Sequence, residues 1–195
     1  MVKNRNQIKE TILRSAKKIF AEKGYDSTNI QDIVKEANVN IAMISYYFGG
    51  KEYLYQEVFK QFCISQKIPN YLAIFPDEPT KALESYLMYI FDHLDADSEI
   101  ALITYQEILA PNTRFLDVIP YIKSPWQQLR FILQTGKEKN EFNFTSLSFT
   151  MHWISSFVIL PKYQMFLTMD LDENIDTITN REKIDYIINF LKVKI

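Results

Sequence analysis

The chain has 195 residues, 47% hydrophobic and 14% aromatic, so it can bury a substantial core and is not disordered. Its single cysteine, Cys63, excludes an internal disulfide and fits a reducing compartment. The net charge is −2, yet residues 1–60 hold ten basic and seven acidic side chains, so a basic third precedes an acidic remainder. This asymmetry is typical of a small nucleic-acid-binding head on a trunk that does not bind nucleic acid.

The sequence favours neither a membrane protein nor an enzyme. The first ten residues carry no apolar run and so predict no secretory signal, and the apolar stretch around Trp153–Leu160 is shorter than the roughly 20 residues of a membrane span. His93 and His152 lack metal-type spacing, and neither a glycine-rich phosphate loop nor a GxSxG motif occurs. We therefore expect a cytoplasmic protein without catalytic residues, metal or cofactor.

Helices are predicted from the start of the chain. Apolar residues recur at three- and four-residue steps over Gln7–Lys23, which predicts a first helix that Gly24 ends in a left-handed conformation. A second helix of about two turns is expected over Asn29–Ala37, with Thr28 as a candidate cap before it.

A tight turn is predicted next, because Asn38 tolerates a left-handed conformation and Asn40 can cap a helix. A third helix is expected over Ile41–Phe48, and Gly49-Gly50 separate it from a fourth that starts at Lys51 and reaches about Lys67. Two short helices joined by such a turn have helix-turn-helix geometry, although a small helical bundle without a DNA role would show the same order.

The third helix is predicted to have a buried edge formed by Val39, Ile44 and Phe48. Exposed Ile, Met and paired Tyr side chains suit a surface that meets a partner, since tyrosine and asparagine bond phosphates and base edges while Ile and Met touch thymine methyls. The residues left to face outward are Asn40, Ile41, Met43, Ser45, Tyr46 and Tyr47.

Two further residues are candidates for phosphate contacts. Lys51 lies in the first turn of a helix, where a cation is unfavourable unless an anion occupies the site. Thr28 precedes the second helix, where an ordinary capping role is the alternative.

Three stretches, Phe20–Thr28, Ile30–Asn40 and Ile44–Leu54, closely resemble the DNA-binding domain of TetR-family regulators, and the resemblance covers roughly residues 6–66. It implies an all-α homodimer in which each subunit places its third helix in the major groove of a palindromic operator. By position, the resemblance implies base-edge or sugar neighbours at Gln31, Asn40, Ile41, Met43 and Ser45. It implies phosphate contacts at Thr28, Tyr46, Tyr47 and Lys51.

This sequence departs from the family pattern at three places. Asn38 replaces the usual turn glycine, Ser45 stands where an aromatic residue is common, and Gly50 replaces a frequent Ser or Asn cap. These departures leave the fold in place but make the operator sequence unpredictable.

The remainder of the chain is also predicted to be helical. We expect a helix-turn-helix domain over residues 1–50, a linking helix over 51–67, and a helical regulatory and dimerisation domain over 68–195. Prolines and Gly136 are expected to limit its helices. The trunk helices are predicted over residues 81–94, 98–109, 113–120, 125–137, 146–169 and 181–192.

The resemblance also implies that the last two helices form a dimer interface, while packing in the core of one subunit is the alternative. An unknown small-molecule inducer, expected to be apolar or aromatic, would release a repressor from DNA. A helical protein-interaction module that no longer binds DNA is the alternative function. The candidate ligand-binding residues are Tyr105, Phe131, Met151, His152 and Trp153.

Overall fold

The computed structural model describes residues 5–64, 67–109, 113–159 and 178–192, and its regular elements are α-helices. The all-α class expected from the sequence is confirmed. No helix in these ranges is both long and apolar enough to cross a membrane. In chain order the helices are α1 Arg5–Ser27, α2 Ile30–Ala37, α3 Ala42–Phe48, α4 Lys51–Phe62, α5 Tyr71–Ile74, α6 Pro79–Ala96, α7 Ser98–Leu109, α8 Phe115–Glu138, α9 Leu147–Ile159 and α10 Asn180–Lys192.

The chain divides into two compact units. The first unit comprises residues 1–66 and 97–124, and the second comprises residues 67–96 and 125–195. The first unit therefore contains α7 and the start of α8 in addition to the four amino-terminal helices. The functional boundary between residues 50 and 68 stays a prediction, because compactness alone does not say which residues bind DNA or ligand.

The core of the first unit forms around α1, which packs against α2, α4 and α7. Its apolar stripe is the one that the sequence periodicity predicts. Edge-to-face rings extend this core, with the Phe20 and Tyr55 centroids 4.7 Å apart. The fully buried side chains include Ile12, Ala16, Phe20, Ile33, Leu54, Val58 and Ile103.

Local capping residues form the turn between α2 and α3. The Asn29 side chain accepts the backbone N–H of Asp32 at 2.8 Å, so Asn29 rather than Thr28 caps α2. Asn38 adopts φ 52° and ψ 54°, and the Val39 N–H donates to Val34 O at 3.1 Å. These bonds satisfy the end of α2 and turn the chain directly into α3.

Of two further predicted helix ends, Asn40 caps a helix as predicted, whereas Gly24 does not end α1. Gly24 has φ 73°, which interrupts α1 with a kink, although helical turns resume as far as Ser27. Asn40 Oδ1 accepts the Ala42 N–H at 2.8 Å and so caps α3 with its side chain. The prediction that α4 reaches about Lys67 is wrong, because Cys63 is extended and α4 ends at Phe62.

In the second unit, α5 and α10 pack on α6. The buried residues of α6 and α10 recur at helical spacing, so each helix contributes one apolar stripe to a shared core. The predicted helix over residues 146–169 is described only as far as Ile159, and its remainder lies outside the described residues. The buried aliphatic residues include Leu83, Leu87, Ile90, Ile184, Ile187, Ile188 and Leu191.

The prediction that prolines divide residues 113–137 into two helices is wrong. One helix, α8, runs from Phe115 to Glu138 and contains both Pro120 and Pro125. Each proline removes one backbone hydrogen bond, but the apolar stripe continues on either side, so burial maintains the helix.

Gly136 lies in the last turn of α8, which ends at Glu138, close to the end predicted at about Lys137. The ring of Phe142, which is 3% exposed, packs directly on its Cα, and a Cβ at Gly136 would lie 2.0 Å from Phe142 Cδ2. Alanine would therefore displace a buried ring, although alanine is otherwise the better helix former by roughly 1 kcal/mol.

We expect Gly136→Ala to lower the free energy of unfolding by about 1 to 2 kcal/mol, because overpacking outweighs the gain in helix propensity. Urea denaturation followed by circular dichroism measures this change. Glu138→Ala, at an exposed position of the same helix, is the control and should change stability little. An unchanged or raised stability for Gly136→Ala would contradict the contact with Phe142.

Candidate nucleic-acid interface

Helix α3 presents one side to the core and the other to solvent. Ile44 and Phe48 are 1% and 6% exposed, whereas Ile41 and Tyr46 are 52% and 65% exposed. A short helix therefore holds a large aliphatic and a large aromatic side chain in water, where neither gains from burial. Binding to a partner would recover that free energy.

The other sequence-predicted base neighbours are at least partly accessible to solvent. Asn40, Ser45 and Gln31 are exposed. Met43 and Tyr47 are half-buried, because each packs partly against the core while leaving the rest of its side chain accessible. The structure thus makes Gln31 and the outward residues of α3 accessible, and their contacts with bases stay a prediction.

An arginine outside the set of predicted contact residues lies beside α3. The guanidinium of Arg5 is 5.3 Å from the centroid of the Tyr46 ring and 6.0 Å from that of Tyr47. The two tyrosine rings meet edge to face at 4.9 Å. Only the packing of α1 brings this cation to α3, since forty residues of sequence separate Arg5 from the two tyrosines.

A second cation from α1 lies nearby. The amine of Lys9 is 5.7 Å from the Phe48 ring centroid and 3.3 Å from the Glu57 carboxylate. Lys9 and Tyr47 both line a groove of about 330 Å³ in the first unit. Arg5 and Lys9 therefore bring positive charge to α3, which has no basic residue of its own, although Glu57 pairs with Lys9.

Lys51 begins α4 as predicted, directly after Gly50, which supplies no side-chain cap. Its amine lies 4.2 Å from the Tyr25 ring centroid. Burial lowers the pKa of the Lys51 amine below its ordinary value, and the Asp26 carboxylate offsets this only in part. A phosphate at the amino end of α4 would favour the charged amine, so the geometry suits an anion.

Thr28 is 2% exposed, and its hydroxyl donates to Gly24 O at 2.6 Å. This side chain therefore closes the bend after α1 rather than facing solvent. A phosphate contact from its hydroxyl would require that bond to be exchanged, so Thr28 is the predicted DNA contact that the structure favours least.

Several basic residues of the first unit form ion pairs within that unit. Lys17 pairs with Asp97 at 2.5 Å, Lys18 with Glu36 at 2.6 Å, and Lys23 with Asp32 at 2.9 Å. These ion pairs join α1 to α2 and to Asp97, the residue directly before α7. Arg5 and Lys51, by contrast, contact tyrosine rings in the same unit.

A buried carboxylate links α7 to α4. Glu107, 3% exposed, accepts the Tyr55 hydroxyl at 2.7 Å and the Arg114 Nε–H at 3.2 Å. Burial, reinforced by this hydrogen bond, raises the pKa of Tyr55 far above its ordinary value. Arg114 also lies 3.9 Å from the Tyr25 ring centroid and 3.3 Å from the Asp26 carboxylate. The bend after α1 is thereby tied to α4 and α7.

The predicted ligand-binding residues are divided between the two units. Tyr105 is half-buried in the first unit, whereas Phe131, Met151, His152 and Trp153 belong to the second. Phe131 and His152 are exposed. Trp153 packs on Phe190, with ring centroids 4.2 Å apart. Ligand binding by these residues stays a prediction.

Comparison with known proteins agrees with the helix-turn-helix geometry. Residues 12–58 match the family of bacterial regulatory proteins described as the tetR family. The chain is 40% identical to HlyIIR, a hemolysin II transcriptional regulator, whose crystal structure superposes with a TM-score of 0.86 over 98% of this chain and 100% of that one.

Relatives with less sequence identity give the same assignment. The Bacillus subtilis protein named "Probable HTH-type transcriptional regulator YttP" is 25% identical over 80% of this chain and 77% of its own. The Staphylococcus aureus negative transcriptional regulator IcaR is 26% identical over 45% of this chain and 46% of its own. Because the matched family consists of regulatory proteins, the match indicates a regulatory rather than an enzymatic role for this chain. The chain belongs to the TetR family and is a DNA-binding helix-turn-helix transcriptional regulator.

Proposed function

We propose that this protein is a homodimeric repressor that binds a palindromic operator and leaves it when a small molecule binds the trunk. The observation that carries the DNA-binding part is the solvent-facing side of α3, with Ile41 and Tyr46 exposed and Arg5 placed over the tyrosines. Repression is supported by IcaR, which is named as a negative regulator.

In this proposal the outward residues of α3 read base edges, whereas Tyr46, Tyr47 and Lys51 bind phosphates on either side of the groove. Phosphate contacts fix the register of a helix on the duplex, and base contacts supply the sequence preference. A dimer would present two copies of α3 to successive major grooves, roughly 34 Å apart.

A salt titration tests the proposed DNA contact. Each neutralised phosphate should contribute about 0.9 to the slope of log affinity against log salt concentration, so affinity should fall steeply with salt. Fluorescence anisotropy with a duplex selected in vitro for binding to the full chain gives this slope. A flat response would favour the alternative of a protein-interaction module.

The dimer is supported by exposed aromatic side chains on the last two helices. Phe149 of α9 and Tyr186 and Phe190 of α10 are 67%, 63% and 47% exposed. Trp153 packs against Phe190, with the two rings tilted by 30°, and enlarges this surface. Aromatic rings at this density are typical of the centre of an interface, where they dominate the binding free energy.

We expect Phe190→Asp to weaken dimerisation at least about 30-fold, since an interface hot spot contributes 2 kcal/mol or more. Sedimentation equilibrium across a concentration series measures the constant. Phe131→Asp is the matched control, because Phe131 is also exposed in the second unit but lies on α8. Equal effects of the two substitutions would contradict an interface on α9 and α10.

Release by an inducer follows if the ligand binds more tightly to the conformation that cannot hold both copies of α3 on DNA. The same fold in FadR from Bacillus subtilis was crystallised with stearoyl-CoA, at 19% identity and a TM-score of 0.70. This likeness supports a trunk that can accommodate a ligand, and the chemistry of the ligand is not carried over.

A further inference from the structure

The second unit contains an open groove of about 420 Å³ that none of the interactions described above uses. Residues of α5, α6 and α10 line it. The groove lacks the mostly apolar lining of an ordinary small-molecule pocket, because charged and hydroxyl-bearing side chains provide much of its surface. Its chief lining residues are Tyr71, Glu84, Met88, Tyr89, Asp92 and Arg181.

The spacing of the two carboxylates restricts what the groove can bind. Glu84 and Asp92 lie eight residues apart on α6, which separates them by about 12 Å along the helix axis, with Met88 midway. Two carboxylates so far apart cannot ligate a single metal ion. They can instead meet two positive charges at the ends of one extended molecule.

Neither carboxylate has a strong partner. Arg181 lies 3.8 Å from Glu84 but only 3.1 Å from Asp185, so Asp185 is its closer ion-pair partner. The Asn180 amide donates to Asp92 at 3.5 Å, the limit of a hydrogen bond, and to Asp95 at 2.8 Å. Glu84 and Asp92 thus retain acceptor capacity toward the groove.

A buried phenol lines the same groove. Tyr71 is 8% exposed, and its ring packs against Tyr86 and Tyr89 with centroids 6.5 and 6.3 Å away. Its hydroxyl bonds to no group of the described ranges, whereas the Tyr89 hydroxyl donates to Lys67 O at 3.0 Å. Burial raises the pKa of Tyr71, so the phenol stays protonated and can accept from or donate to a ligand.

We propose that this groove binds a linear aliphatic diamine or polyamine. One terminal ammonium pairs with Glu84 and the other with Asp92, and the methylene chain lies along Met88 and the face of Tyr89. An additional amine of a polyamine bonds the Tyr71 hydroxyl. Carboxylates and tyrosine faces both attract ammonium groups, and a thioether suits an alkyl chain.

Isothermal titration calorimetry of the full chain, in the absence of DNA, tests the site. We expect saturable binding of 1,8-diaminooctane and spermidine at one molecule per subunit. The short 1,3-diaminopropane should bind at least about tenfold more weakly, because it cannot reach both carboxylates at once. Absence of saturable binding, or affinity independent of chain length, would overturn the proposal.

Single substitutions locate the binding. Glu84→Gln and Asp92→Asn should each weaken the binding of 1,8-diaminooctane about tenfold. Tyr71→Phe should weaken the binding of spermidine but not that of the diamine. Arg181→Gln should strengthen binding, since it removes a positive charge beside Glu84.

Glu138→Gln, which removes an exposed carboxylate of α8 in the same unit, should leave binding unchanged. An equal loss from this control would show general attraction of cations to an acidic protein, and the proposal would fail. Because the titration contains no DNA, a failure of the proposed repressor function would not affect its result.

Discussion

Glu107→Ala should destabilise the protein by about 3 kcal/mol, the largest loss of stability that we expect from a single polar side chain here. The substitution removes the acceptor of the buried Tyr55 hydroxyl and one carboxylate partner of Arg114. It also leaves a cavity between α4 and α7. For a chain of this length the loss corresponds to a fall of roughly 6–12 °C in Tm.

Thermal unfolding followed by circular dichroism measures the effect. Tyr55→Phe removes only the donor hydroxyl and should cost about 1 kcal/mol, since the carboxylate keeps its bond from Arg114. Glu138→Ala, at an exposed site, should change Tm little. A Tm shift for Glu107→Ala no larger than that of Glu138→Ala would show that Glu107 does not hold these helices together.

Lys51→Glu should weaken DNA binding about 100-fold on selected and unrelated duplexes alike. In a dimer the change occurs twice, and a loss of about 1.4 kcal/mol at each head gives this factor. The slope of log affinity against log salt should also decrease by about 2, because one phosphate contact is lost from each head. Glutamate suits the first turn of α4, so the fold should tolerate the change.

Fluorescence anisotropy gives both quantities, and far-ultraviolet circular dichroism checks the helices. Arg130→Glu changes the net charge equally at an exposed position of the second unit and should cause a much smaller loss. Tyr47→Ala should weaken binding to all sequences, but less than Lys51→Glu, since it removes a neutral donor. If Lys51→Glu binds like wild type with an unchanged slope, α4 does not bind a phosphate through this residue.

The helix-turn-helix was predictable because its signals are local. Asn38 adopts the left-handed conformation expected of it, Asn40 caps α3, and Lys51 begins α4. Each of these features depends on one residue and its immediate neighbours. The buried edge of α3 was predictable for the same reason, since helical periodicity alone places Ile44 and Phe48 inward.

Features that depend on packing between distant segments were not predictable. Arg5 reaches Tyr46 only because the start of α1 lies beside α3, and Glu107 meets Tyr55 only because α7 packs in the first unit. In α8, burial outweighs the helix-breaking tendency of Pro120 and Pro125. The groove of the second unit combines α5, α6 and α10, and no motif in the sequence marks it.

The contact between Trp153 and Phe190 has a practical consequence for spectroscopy. The only two tryptophans of the chain, Trp126 and Trp153, lie in the second unit, whereas the rings of Phe20, Tyr25 and Tyr55 cluster in the first. Fluorescence excited selectively in the indole rings therefore reports on the second unit alone. If the proposed dimer separates at Phe190, this emission should shift, whereas tyrosine emission mixes the two units because Tyr71, Tyr86 and Tyr89 lie in the second.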